Sequence, residues 1–222
     1  MGITIAAEKI QRGDSVNYLV YRIGFQKIRT QKAQIGKDRL QTLNDFQRLL
    51  GDTSSLRLAV GITPNLIVHL NKTLDGDKDL NSPRELTAEA EKELTIVEEK
   101  LQETHVDRVN PNLSCILVIL PSRISPTGIL MQRDVIILEG IFLSHNPSKK
   151  LKTDVEKVSE LIIKGKLRLC LLADIDPAEI IMPFTTEEIK KLWEDNEPWQ
   201  RVCVNFWEKL IETIPKAIDL TL

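Results

Sequence analysis

The chain has 222 residues, of which 42% are apolar, a length and composition that suit one or two domains with proper cores and exclude a disordered chain. A formal charge of −2 and a pI of about 6.0 leave no global basic field of the kind that marks a dedicated nucleic-acid binder. Cys115, Cys170 and Cys203 form no CxxC pair, no apolar run is long enough to span a bilayer, and the first residues lack a basic stretch leading into an apolar one, so the expected setting is the reducing cytoplasm, away from membranes.

Residues 1 to about 34 read as extended. The stretch 16–23 is rich in Val, Tyr and Ile, Gly24 offers a turn, and 25–29 can return as a partner strand. Two strands alone are marginal in water, so this hairpin is expected to belong to a larger sheet whose other strands lie outside the chain. Charge is uneven here and beyond. Residues 22–39 hold six basic side chains and one acid, 84–103 hold seven acids and three basic groups, and 148–168 hold seven basic groups and three acids. Such runs are ordinarily solvated faces, but basic blocks on either side of a groove also suit phosphate.

From about residue 35 to 110 the period is helical. In 40–62, LQTLNDFQRLLGDTSSLRLAVGI, Leu43, Phe46 and Leu50 share one stripe, widened by Leu49, while Gln47, Arg48 and Asp52 turn away. Thr42 is placed to cap this helix, with Asp45 completing a capping box. Gly51 stands inside it, where glycine costs about 1 kcal/mol against alanine. Either a tight helix crossing or the close approach of another molecule's backbone accounts for it. A second helix opens at Thr63-Pro64 and ends near Gly76. A third carries Ala90, Leu94, Val97 and Leu101 on one stripe and starts at either Ser82 or Thr87. Three amphipathic helices with short connections make a small bundle.

Beyond Pro111 the pattern turns to strands at 113–120, 127–132 and 135–142, separated by Pro121, Ser125-Pro126 and Arg133-Asp134. A helix follows from about 149 to 164, with Leu151, Val155, Val158 and Ile162 on its apolar stripe and Gly165 at its end. A further apolar run covers 167–172, a short helix opens at Thr185 and reaches Trp193, and 201–207 reads as a last strand. This order argues α/β or α+β. Trp193, Trp199 and Trp207 read as core anchors.

Catalytic signals are sparse. DGDKDLNSPREL, 75–86, has acids at positions 1, 3 and 5 of a calcium loop, but Leu80 stands where glycine is required and Leu86 where the bidentate glutamate belongs, so it reads as a solvated turn. His69, His105 and His145 have no ligand partners in sequence. There is no phosphate-cradling glycine loop, HExxH or Ser-His-Asp arrangement.

Four segments occur in a known order at compatible spacings: Tyr18-Leu19-Val20-Tyr21, NDFQRLLGD, TPNLIVHLNKTLDG and PSRISPTGILMQ. On them the chain resembles a retroviral reverse transcriptase, of the betaretrovirus-like kind seen in intracisternal A-particle elements, over nearly its whole length, fading after about Phe206. The resemblance implies an α+β multidomain fold. Residues 1–34 would be the end of the palm with its primer-grip hairpin, 35–110 the three-helix thumb, and 111–222 an RNase H-like α/β connection domain with a degenerate C-terminal end. It implies the template-primer-gripping part of an RNA-directed DNA polymerase, a nucleotidyltransferase within the Pol polyprotein of an endogenous retrovirus. The alternatives are a noncatalytic RNA-binding or protein-interaction module and a functionless remnant. The polymerase's Asp-Asp pair would lie upstream. None occurs in this chain, so the resemblance supplies no catalytic or metal-ligating residue and no cofactor here, magnesium belonging to the intact enzyme. The nucleic-acid-binding residues it implies are Tyr18, Leu19, Tyr21, Gln47, Arg48, Gly51, Ser55 and Lys72. The implied partners are an RNA:DNA hybrid or RNA duplex and a polymerase subunit or second copy of the chain. The family usually has Gly at Val20 and often Trp at Gly140; some relatives have Trp at Ser55, and a basic residue is expected at Asp75.

Overall fold

The computed structural model describes residues 6, 10–31, 40–122, 124–132, 136–143 and 152–211. Among them the fold is α+β, with two sheets, six helices and two large buried clusters.

The first sheet has four antiparallel strands in the order β1 (Ser15–Tyr18), β2 (Tyr21–Gly24), β3 (Lys27–Thr30) and β4 (Val106–Asp107). The single strand expected over 16–23 is broken by a two-residue turn at Leu19 and Val20, so that Tyr18 opposes Tyr21. Leu19 takes a left-handed φ of +52, a strained backbone for a residue of its kind. Gln31 holds the turn: its backbone N–H donates to Val20 O at 2.8 Å and its side-chain amide to Leu19 O at 3.0 Å and Tyr21 O at 2.7 Å. The missing partner strand comes from within the chain, since β4 pairs with β3 after the helices have intervened.

The bundle follows the apolar period. α1 (Leu43–Val60) is capped by Thr42 and Asp45 in a reciprocal box and ends at Gly61 in the left-handed conformation. The hydroxyl and backbone N–H of Thr42 hold the Asp45 carboxyl below the usual carboxylate range. The second helix is shorter than expected: a 3-10 turn, Pro64–Ile67, leads into α2 (Val68–Lys72). α3 (Ala88–Glu103) starts at Thr87, whose hydroxyl accepts from Ala90 N–H, and buries Ala90, Leu94, Val97 and Leu101. Ser82 instead donates to the Asp79 carbonyl at 2.6 Å in the preceding loop.

The second sheet has five strands in the order β7 (Ile136–Ile141), β6 (Thr127–Gln132), β5 (Cys115–Leu120), β8 (Glu179–Ile181) and β9 (Leu210–Ile211). β8 joins β5 in parallel, as a helical crossover requires. That helix, α4 (Asp154–Ala173), continues through Gly165 and takes in the apolar run 167–172. Gly165 is therefore a packing residue and not a helix end: a Cβ there would stand 2.7 Å from Leu117 Cδ2 on β5. α5 (Thr186–Asp195) is capped by Thr185. The strand expected over 201–207 is a helix, α6 (Glu197–Phe206), with Asn196 as N-cap and Pro198 in its first turn.

Candidate nucleic-acid interface

α1 has two faces of opposite chemistry. Phe46 is fully buried and Leu43, Leu49, Leu50 and Leu56 nearly so, whereas Gln47, Arg48, Gly51 and Asp52 are exposed. Gln47 and Gly51 are one helical turn apart, with Arg48 beside them. A Cβ built on Gly51 would meet nothing within 4 Å, so among the described residues no element packs closely on the helix there. A tight crossing is thereby removed as the reason for this glycine. The Ser55 side chain lies outside the described residues. Lys72 is exposed on the last turn of α2.

The β1–β2 turn splits its three candidate residues. Tyr18 and Leu19 point outward, 62% and 78% exposed. Tyr21 turns inward and packs with Val20 on the cluster built around Phe46 and Leu94. Burial first, then the Glu139 carboxylate, push the Tyr21 phenol above its ordinary pKa, with Arg168 opposing them. Glu139, on β7, is itself raised by burial, while Arg168 of α4 donates to it from Nε at 2.7 Å and acts in the other direction. α1 also meets β7 directly. The Arg57 guanidinium lies 4.2 Å from the Phe142 ring centroid, with Nε and Nη2 buried and unbonded, and burial lowers its pKa. Neither contact has a local signal in the sequence, because each joins residues far apart along the chain.

The acidic loop takes up its own carboxylates: Asp77 Oδ1 accepts from Asp79 N–H at 3.1 Å and Asp79 Oδ1 from Asn81 N–H at 3.0 Å. Among the described residues no group of three His, Cys, Asp or Glu is placed to hold a metal. His69, expected to stand alone, pairs through Nδ1 with Glu93 at 2.7 Å, and that carboxylate also accepts the N–H groups of His69 and Leu70 at the start of α2. His145 lies outside the described residues. The tryptophans divide. Trp199 is fully buried and donates to Ile189 O at 3.2 Å, but Trp193 and Trp207 meet edge to face, centroids 6.4 Å apart, beside a cavity of about 430 Å³ also lined by Lys190, Cys203 and Val204.

Residues 30–95 match the family model of the reverse transcriptase thumb domain, and residues 123–219 that of an ERVK-8-like, RNaseH-like domain. Over 205 residues, 92% of this chain, it is 38% identical to the Gag-Pro-Pol polyprotein of Mason-Pfizer monkey virus and 37% identical to that of Simian retrovirus SRV-1. The chain is a reverse transcriptase thumb and RNaseH-like region of a betaretrovirus-like Pol polyprotein. The thumb match takes in α1 and α2 and reaches into α3, and the RNaseH-like match takes in β6 to β9 with α4, α5 and α6. The segment spans 12% of the length of each of these relatives. Its likeness does not fade at Phe206: the RNaseH-like match runs to residue 219, and the Gag-Pro-Pol polyprotein of Mouse mammary tumor virus is 34% identical over 99% of the chain. Of the expected degenerate end after Phe206, residues Trp207–Lys209 form a 3-10 turn and Leu210–Ile211 form β9, and 212–222 lie outside the described residues. No helix among the described residues is long and apolar enough to cross a membrane.

Proposed function

We propose that this segment grips an RNA:DNA template-primer within a larger RNA-directed DNA polymerase and does not itself catalyse synthesis. The observation that carries the reading is Gly51, an exposed helix-interior glycine with open space where a side chain would stand. A wide, shallow minor groove presents 2′-hydroxyls and base edges. Laid along the outer face of α1, it would bring sugar and phosphate against the bare backbone at Gly51, with Gln47 bonding at the groove and Arg48 and Lys72 facing phosphate. Tyr18 and Leu19 would hold the primer terminus, and Tyr21 would brace their turn from within. Ser55 would extend the same track.

The residues present do not fit the polymerase's metal pair. That chemistry needs convergent carboxylates, whereas this chain has no Asp-Asp pair and Asp77 and Asp79 are occupied by backbone N–H groups. Catalysis would belong to the palm upstream. The free thiols of Cys115, Cys170 and Cys203 suit action in the cytoplasm.

Fluorescence anisotropy with an RNA:DNA hybrid tests the reading on wild type and Gly51→Glu at two ionic strengths. The wild type is expected to bind with little sequence preference and to weaken with salt, and the variant to bind more weakly at both. Equal affinities would overturn the placement. Primer extension with the same protein should yield no extended product.

A second reading, contact with a polymerase subunit or second copy, is supported by the half-exposed Trp193 and Trp207 around the apolar cavity. Sedimentation of wild type against Val204→Glu tests it, since loss of a dimer in the variant alone is the expected result.

A further inference from the structure

The outward face of the first sheet carries charge that its folding does not need. Arg22 on β2 and Arg29 on β3 are direct cross-strand partners, so both side chains leave the same face, and both are exposed. Like charges directly opposed across a strand pair destabilise a sheet. Lys27 lies two residues before Arg29 on that face, opposite Asp107, the one acid in register. Ser15 Oγ accepts from Arg22 Nε at 3.0 Å, which orients the guanidinium without neutralising it. At the β2–β3 turn Phe25 is 84% exposed, more than any other large apolar side chain among the described residues. The opposite face, through Tyr21, Ile28 and Val106, covers the thumb core, so this basic surface is separate from the exposed side of α1.

Paired guanidiniums offer planar forks that match phosphate, and a bare aromatic ring offers a platform on which a base of any sequence stacks. An acidic peptide would use the charges and leave Phe25 in water. We propose that this face binds single-stranded nucleic acid without sequence preference, Arg22 and Arg29 holding phosphates, Lys27 adding long-range attraction, and Phe25 stacking a base. The site does not depend on the duplex reading of Gly51.

The test uses the full chain, a short unstructured RNA and an RNA:DNA hybrid, followed by anisotropy over a series of salt concentrations. Replacing both arginines (Arg22→Thr with Arg29→Thr) is expected to weaken binding of the single strand and to flatten its log–log salt slope by about 1.4, roughly 0.7 per charge removed. Phe25→Ser should weaken it roughly tenfold with the slope unchanged. Hybrid binding should be untouched by these variants and reduced by Gly51→Glu, which in turn leaves the single strand unaffected. Because Phe25 is not packed in the fold, its variant carries the test even where the double variant folds poorly. Single-strand affinity unchanged in both variants overturns the proposal. So does an oligoglutamate peptide that displaces the RNA and loses affinity in the arginine variant while ignoring Phe25→Ser, an outcome that would assign the face to an acidic protein.

Discussion

Gly51 in thumb helix α1 and Gly165 in α4 of the RNaseH-like region are both helix-interior glycines, yet a Cβ at the first would meet nothing within 4 Å and at the second would stand 2.7 Å from Leu117 Cδ2. Each forgoes the helical preference of alanine, worth about 1 kcal/mol. At Gly165 the return is visible inside the molecule, where the helix settles against a fully buried leucine of β5. At Gly51 an added Cβ would meet open space, so close packing of the Gly165 kind does not account for this glycine.

Gly165→Val is the most severe way to probe the contrast. It is expected to lower unfolding stability by about 2–3 kcal/mol, through overpacking against Leu117. Combined with Leu117→Ala, the two losses should be clearly non-additive by urea denaturation, since the sites are in contact. Additive losses would mean that Gly165 is kept for another reason.

Arg168→Gln tests the same helix through its hold on β7. Glu139 is nearly buried and Arg168 about two-fifths exposed, so the expected loss is discounted to about 1–2 kcal/mol at neutral pH. The sign follows from protonation. Burial raises the Glu139 pKa in the fold and Arg168 opposes that rise, so removing the guanidinium raises it further. The penalty then belongs to the ionised carboxylate, present above the folded pKa and lost as pH falls below it. Melting curves at neutral and mildly acidic pH should show the variant approaching wild type at the lower pH; a loss independent of pH would assign Arg168 a packing role alone.

Gly51→Ala has the smallest effect on stability and the opposite sign. It should gain about 0.5–1 kcal/mol, because the new methyl group displaces nothing and alanine favours the helix, and it should bind hybrid more weakly than wild type. A gain in stability without weaker binding would leave Gly51 unexplained.

Much of the thumb was legible from local pattern. Thr42 with Asp45 and Leu43, Phe46 and Leu50 mark α1, as Thr87 and the stripe from Ala90 to Leu101 mark α3, because capping and burial there obey the same short period. The reading faltered where a tertiary contact determined the structure. Gly165 looks like a helix end until Leu117 is seen beneath it, and that error turned the apolar run after it into a separate element. Residues 201–207 look like a strand by composition, although Asn196 and Pro198 were available as start signals for α6. The turn at Leu19 and Val20 lacks a turn-forming residue and relies on Gln31, about a dozen residues on. At the site, the outward turn of Gln47, Arg48 and Gly51 was readable from the period. The open space beyond Gly51 was not, since it depends on where every other element goes.

The pairing of β3 with β4 closes the chain around the thumb: Lys27 and Ile28 lie against Asp107 and Val106, and everything between forms a loop whose two feet rest on adjacent strands. Such a body is fixed by both ends, like a drawer pull. Its base is only about 5 Å wide, α1 rests on β7 as well, and it cannot be drawn away without first prising apart that short ladder. A single protease cut among the thumb helices would leave both halves anchored to the same sheet.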